Sequence, residues 1–220
     1  MDTSTIIRKG TIRIRRSRSF TVDPIFRCHL AGYDLRRLGA SRDTIYLLDA
    51  ALRIRGFNAE YVRYARRNGG RGLLQRYGLG AAVLEGFTAF YAAHYRDVFR
   101  ACLDERRPCS NFCFVSSVRA FGRFRQTIEP LKNGNGLLVS HRLVESTVRS
   151  EAKGFDPLVH LSGDGLVLRC CHCDRIRNHQ MKGRWDWLPD EAGDPRYETS
   201  HGICPQCRDT YYPSLATAGF

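Results

Sequence analysis

Four cysteines carry the strongest chemical signal in this chain. Cys170 and Cys173 form one C-x-x-C pair, and Cys204 and Cys207 form a second after a gap of thirty residues. Two thiolates with two residues between them converge from a tight turn, and two such turns supply the tetrahedral set that a structural Zn²⁺ takes. The gap is longer than in the usual paired pattern, so it must carry structure of its own. A closed four-sulfur site leaves no coordination position for a substrate, which points to a metal-held module rather than to metal catalysis. The alternatives are four unrelated buried thiols, or disulfides, which a reducing compartment disfavours. His201, Cys171 and His172 compete for the same ion. Ser200-His201-Gly202 reads instead as a turn with a hydrogen-bonding histidine, and Cys171 is too close to its neighbours to join them without strain. Four thiolates on Zn²⁺ carry a formal −2. Arg169, Arg175, Arg177 and Arg208 adjoin the ligands in sequence and would offset it, with His201 as a further support around the site.

No enzyme constellation accompanies the quartet. A G-x-S-x-G elbow, an H-E-x-x-H helix and a phosphate-cradling G-x-x-x-x-G-K are absent, and the acidic residues are scattered, so a non-enzymatic role is expected. Cys109 and Cys113, four apart on one strand, would sit about 13 Å from each other, too far for a bond or a shared metal. His94 and His141 read as core histidines or as ligand contacts.

The elements that must position these residues follow from composition and pattern. The chain has 220 residues, 43% of them hydrophobic, enough for one ordinary domain and a small one. Its nine cysteines read as reduced thiols, no secretory leader opens the sequence, and no apolar run approaches membrane-spanning length. A cytoplasmic protein without a membrane span is expected. The net charge of +13 is uneven: residues 1–39 carry +6, residues 40–148 carry +8 and residues 149–220 carry −1. A ribbon gripping phosphates would be basic itself, so the excess lies elsewhere, most sharply at Arg8, Lys9, Arg13, Arg15, Arg16 and Arg18.

Residues 1–22 read as a basic, disordered arm, and residues 23–40 as a helix with Asp23 as N-cap and Pro24 at N1. Thr44–Asp49 and Leu52–Phe57 read as strands, and Asn58 caps the next helix with Glu60 in its first turn. Apolar residues at three-to-four spacing from Val83 to Cys102 predict one helix of about 20 residues. Strands follow at Cys109–Ser117, Arg119–Leu131 and Leu137–Leu143, the last two joined by a Lys132–Gly136 hairpin loop. Phe124 and Ile128 face one side of their strand, and Leu137, Val139 and His141 share one side of theirs. The fold class is α+β: a five-stranded antiparallel sheet with helices on one face, then a four-cysteine module. A polar linker spans 146–157. The module spans 158–213, with a Val159–Leu161/Leu166–Leu168 hairpin and apolar ballast from Trp185-Asp186-Trp187-Leu188-Pro189. Residues 214–220 form a tail.

These elements carry a resemblance. Residues 41–145 resemble a PAS domain through IYLLDAALRIRGFN (45–58), the long central helix and FRQTIEPLKNGNGLLVSH (124–141). The tail resembles a zinc-ribbon-like extension found after sensory domains in some bacterial signalling proteins, through CCHCDRIRN (170–178), RWDWLP (184–189) and SHGICPQC (200–207). The resemblance implies signal transduction by a sensor whose pocket takes a small ligand or a protein partner. The pocket residues implied are Phe87, Tyr91, His94, Phe124, Val139 and His141. It also implies a homodimer. A histidine phospho-acceptor box, a nucleotide-binding loop and a cyclase signature are missing, which leaves the output route open.

The alternative is a regulator that binds nucleic acid through the arm and a basic sheet face, motivated by Arg53, Arg55, Arg123 and Arg125. Phosphate binding of that kind must weaken steeply with salt.

Overall fold

Alternating β-branched, aromatic and leucine side chains build a six-stranded antiparallel sheet in the computed structural model. It comprises β1 (Phe20–Val22), β2 (Thr44–Asp49), β3 (Ile54–Asn58), β4 (Cys109–Ser116), β5 (Ala120–Pro130) and β6 (Gly136–Val148), in the order β1-β3-β2-β6-β5-β4. The structure describes residues 19–68, 70–116, 120–148, 154–188 and 196–213. The arginines and lysine of the basic arm, residues 149–153 of the expected linker, Pro189 and the 214–220 tail lie outside these.

The sheet has one strand more than the five expected. Phe20–Val22 falls within the stretch read as a disordered arm, yet it pairs with Asn58–Gly56. Its placement is tertiary: Phe20 and Val22 pack on an apolar cluster, and Arg55 bridges Asp23 and Asp49 at 2.7 Å each, tying the strand's end to β3. The sheet also carries helical structure on both faces, not one. On one face, Tyr46, Leu48, Ile54, Ile128, Leu137 and Val139 pack against α4 (Ala89–Glu105). On the other, Ile45, Leu47 and Leu138 pack against Phe26 and Leu30. The segment read as one helix over 23–40 is a 3₁₀ turn at Ile25–Leu30 followed by α1 (Leu35–Ala40). Gly32, at φ +82°, breaks the run, and Asp34 accepts from the amides of Arg36 and Arg37 to start α1.

Asn58 does what its position promises, and more. Its Oδ1 accepts from Tyr61 N at the start of α2 (Ala59–Asn68) and from Ile45 N, while Nδ2 donates to Asp43 O at 2.8 Å. The residue is 1% exposed, so its loss strands buried backbone groups. Asn58→Ala is expected to cost about 2–4 kcal/mol in urea unfolding, and Asn58→Asp at least as much, because a buried carboxylate oxygen would face Asp43 O with no proton to donate.

A further helix, α3 (Gly70–Arg76), follows α2. The expected helix from Val83 to Cys102 is divided into a 3₁₀ turn at Val83–Gly86 and α4. Phe87 is extended between them, and Thr88 stands at the N-cap in the extended backbone that such caps favour. In the hairpin loop Gly134 takes φ +75°, and a Cβ on Gly136 would overlap the carbonyl oxygen of Leu48.

The four arginines of the basic-face reading do not sit on adjacent strands. β3 and β5 are separated by β2 and β6. Arg53 donates to Gly80 O, Arg55 is held by two aspartates, Arg123 faces Glu145 at 3.4 Å, and Arg125 lies over Phe112.

The C-terminal part forms a second, four-stranded sheet. Asp156 caps and Pro157 begins the short helix α5 (Pro157–His160), so Val159 is helical and only a Leu161–Val167 bridge remains of the expected hairpin. β7 (Val167–Cys170), β8 (Ile176–Arg177), β9 (Trp185–Asp186) and β10 (Thr199–Gly202) order as β10-β7-β8-β9, and α6 (Pro205–Tyr211) closes the module.

Candidate metal centre and adjoining cavity

The two cysteine pairs meet through strand register. β10 runs parallel to β7 with Gly202 opposite Cys170, which brings the Ile203-Cys204 turn beside the first pair. Within that pair the chain folds back sharply. Asp174 N donates to Cys170 O, Cys170 N donates to Arg175 O, and Asp174 adopts φ +62°. Cys204 is the N-cap of α6 with Pro205 at its first position, so Cys207 lies one turn along. The four sulfurs lie within 4.8 Å of one another, with Cys173 and Cys204 at 3.6 Å. A tetrahedron with metal–sulfur bonds of about 2.3 Å has edges of about 3.8 Å. The group can hold a metal ion, and all four residues are buried.

The thiols share their protons unevenly. Hydrogen bonds from Cys173, Cys204 and Cys207 hold Cys170 far below the ordinary thiol range, and the same crowding, Cys170 first, pushes Cys207 far above it. A divalent cation at the centre favours the thiolate at all four positions. Cys204 N donates to Cys170 Sγ at 3.4 Å, so backbone supplies polar support.

The neighbouring side chains serve other contacts. Arg169 pairs with Asp174, and Arg208 with its neighbour Asp209. Arg177, His201 and Cys171 are exposed. Arg175 is 6% exposed, donates to Gln206, and lies over Trp187 at 4.1 Å and Phe114 at 4.9 Å. His172 turns away from the sulfurs. Its Nδ1 meets Tyr91 Oη at 2.7 Å and its Nε2 meets Tyr212 Oη at 3.3 Å, leaving neither ring nitrogen for the ion.

These contacts fasten the module to the larger sheet. Trp187 stacks on Phe121 with centroids 5.4 Å apart and planes 6° from parallel, and its Nε1 donates to Cys173 O. Phe90 stacks on Tyr212, and Tyr91 and His94 meet the Tyr211 ring at 5.3 Å.

Between the sheet, the helices and the module lies a cavity of about 340 Å³. Tyr46 and Thr44 of β2, Tyr61 and Tyr64 of α2, and Phe87, Tyr91 and Tyr95 form one part of its wall. Cys113, Phe114, Phe124, Gln126 and His141 form its floor on the sheet, and His172 and Tyr211 close it from the module. A second hollow of about 280 Å³ shares Tyr64, Phe124 and His141 and has Arg42 and Arg67 on its lining.

Of the pocket residues expected from sequence, Phe87, Tyr91, Phe124 and His141 line the cavity together. Val139 is fully buried in the core beneath, and His94 lies outside the lining with its Nε2 buried and without a hydrogen-bond partner. Sequence reasoning missed the tyrosines of β2 and α2, together with Gln126, His172 and Tyr211. Tyr46 shares a face of β2 with Leu48, and that alternation was the available signal for the first of them.

The wall is uncharged at neutral pH. Burial raises Tyr61, Tyr64 and Cys113 to about 12 and also raises Tyr46, Tyr95 and Tyr211. Burial lowers His141 to about 4, while Gln126 Nε2 stands 3.1 Å from its Nε2 and Cys113 Sγ 3.8 Å from its Nδ1. Because the unfolded histidine titrates near 6.5 and the folded one near 4, the stability it confers is complete above pH 6.5. That stability drains away as pH falls toward 4, by up to about 3 kcal/mol. Urea midpoints at pH 7.5 and 5 check this, and His141→Gln is expected to shrink the difference.

No protein-family model matches the chain, and a search of curated proteins returns no match.

Proposed function

We propose that this chain is a non-enzymatic, cytoplasmic sensory module in which a PAS-like α+β domain receives a small ligand and a zinc-ribbon-like module, held by Zn²⁺ on Cys170, Cys173, Cys204 and Cys207, transmits or stabilises the bound state. The observation that carries the reading is the pairing of two features in one place. A closed four-sulfur group sits beside an uncharged aromatic cavity of a size that suits a small molecule. Cysteine-only ligation favours Zn²⁺ over hard cations, because thiolates are soft donors. The cavity wall offers shape and apolar surface, and its neighbouring His141 and Cys113 are shifted by burial to about 4 and about 12, far from the neutral range that suits acid–base chemistry, which favours binding. Native mass spectrometry of the purified full chain tests both halves. One zinc ion and one organic ligand per chain are expected, and a bare chain mass would overturn the reading.

A further inference from the structure

The cavity is a joint product of both sheets. His172 stands between two of the clustered cysteines, and its ring nitrogen meets Tyr91 Oη across the cavity's edge. Tyr211 ends the helix that begins beside Cys204, and it is 8% exposed. Both residues are placed by the turns that carry the sulfurs, so whatever fixes the sulfurs fixes this part of the wall.

The floor carries one unmet polar demand. Gln126 is 1% exposed and lines the cavity. Its Nε2 faces His141, and its Oε1 is buried with no hydrogen-bond partner. A buried amide group in that state is costly, and a ligand that supplies the missing hydrogen bond recovers the cost.

Resting on the ligand-binding reading above, we propose that the cavity takes a flat, uncharged aromatic molecule bearing one hydroxyl or N–H group, seated on Gln126, and that the metal-held module forms part of its wall, so that metal and ligand bind cooperatively. The ring faces of Tyr91, Tyr95, Phe124 and Tyr211 supply the apolar contact, and about 340 Å³ accommodates two or three fused rings. Coupling of this kind is reciprocal: metal raises ligand affinity, and ligand raises metal affinity by the same factor.

The test uses the intact, metal-loaded protein and two probes of one shape, 2-naphthol and naphthalene, in fluorescence titrations. 2-Naphthol is expected to bind about five- to tenfold more tightly, the worth of one buried hydrogen bond. Gln126→Leu is expected to erase that preference while naphthalene still binds. Removing the metal with a chelator, verified by elemental analysis, is expected to weaken both probes at least tenfold, and saturating 2-naphthol is expected to slow metal loss. Equal affinities for the two probes would overturn the role of Gln126. Probe binding unchanged after verified metal removal would overturn the joint wall while leaving the sensory reading intact. Failure of both probes to bind the metal-loaded protein would overturn both.

Discussion

Cys207→Ala is expected to release the metal ion and unfold the four-stranded β7–β10 sheet with α6 while the six-stranded sheet stays folded. Cys207 is fully buried among the other three sulfurs, and no other described side chain stands ready to replace it: His172 is engaged by two tyrosines, and Cys171 and His201 are exposed. A structural zinc site supplies about 10–16 kcal/mol of apparent binding energy in small modules. The module's own core consists mainly of Val167, Ile176 and Leu188 beside the cysteines, too little to order roughly 60 residues unaided. Metal stoichiometry and hydrogen exchange check this together. The variant should hold no stoichiometric metal and should lose protection at the amides of Val167–Cys170, with protection retained in β2 and β6. Full protection in the metal-free variant would refute it.

Phe99→Ala is expected to destabilise the larger domain by about 3–5 kcal/mol. Phe99 is completely buried, stacks on Tyr95 at 5.8 Å, and sits in the cluster with Tyr46, Ile128 and Val139. Truncation removes a large apolar surface and leaves a void that the β-sheet floor cannot close. With a urea slope of about 2 kcal/mol/M, the midpoint falls by about 2 M. A shift below about 0.5 M would mean that α4 packs on the sheet less tightly than its position indicates. The same residue supports Tyr95, so the cavity wall and the core are one packed unit.

Much of the positioning machinery was legible in the sequence because it is local. Cysteine spacing, the Asn58 cap, the alternation in β2 and the Gly-rich loop before β6 each act over a few residues, and each has one dominant physical reading. What escaped was set by distant partners. Phe20–Val22 becomes a strand only because β3, more than thirty residues away, offers an edge. The helix expected over 83–102 divides because Phe87 turns extended and its ring packs at 4.8 Å from Tyr95. Sequence adjacency placed Arg169, Arg175 and Arg177 near the sulfurs but could not give their direction. Arg175 instead finds two aromatic faces that only the docked module brings together. For the same reason Tyr211 and His172 could not be read as cavity residues, since the surface they complete belongs to another sheet.

Zinc K-edge X-ray absorption on the purified full chain tests the four-sulfur centre most directly. One zinc ion per chain with four sulfur neighbours at about 2.3 Å is the expected result. A first shell containing nitrogen or oxygen, or protein that carries no stoichiometric metal, would contradict it.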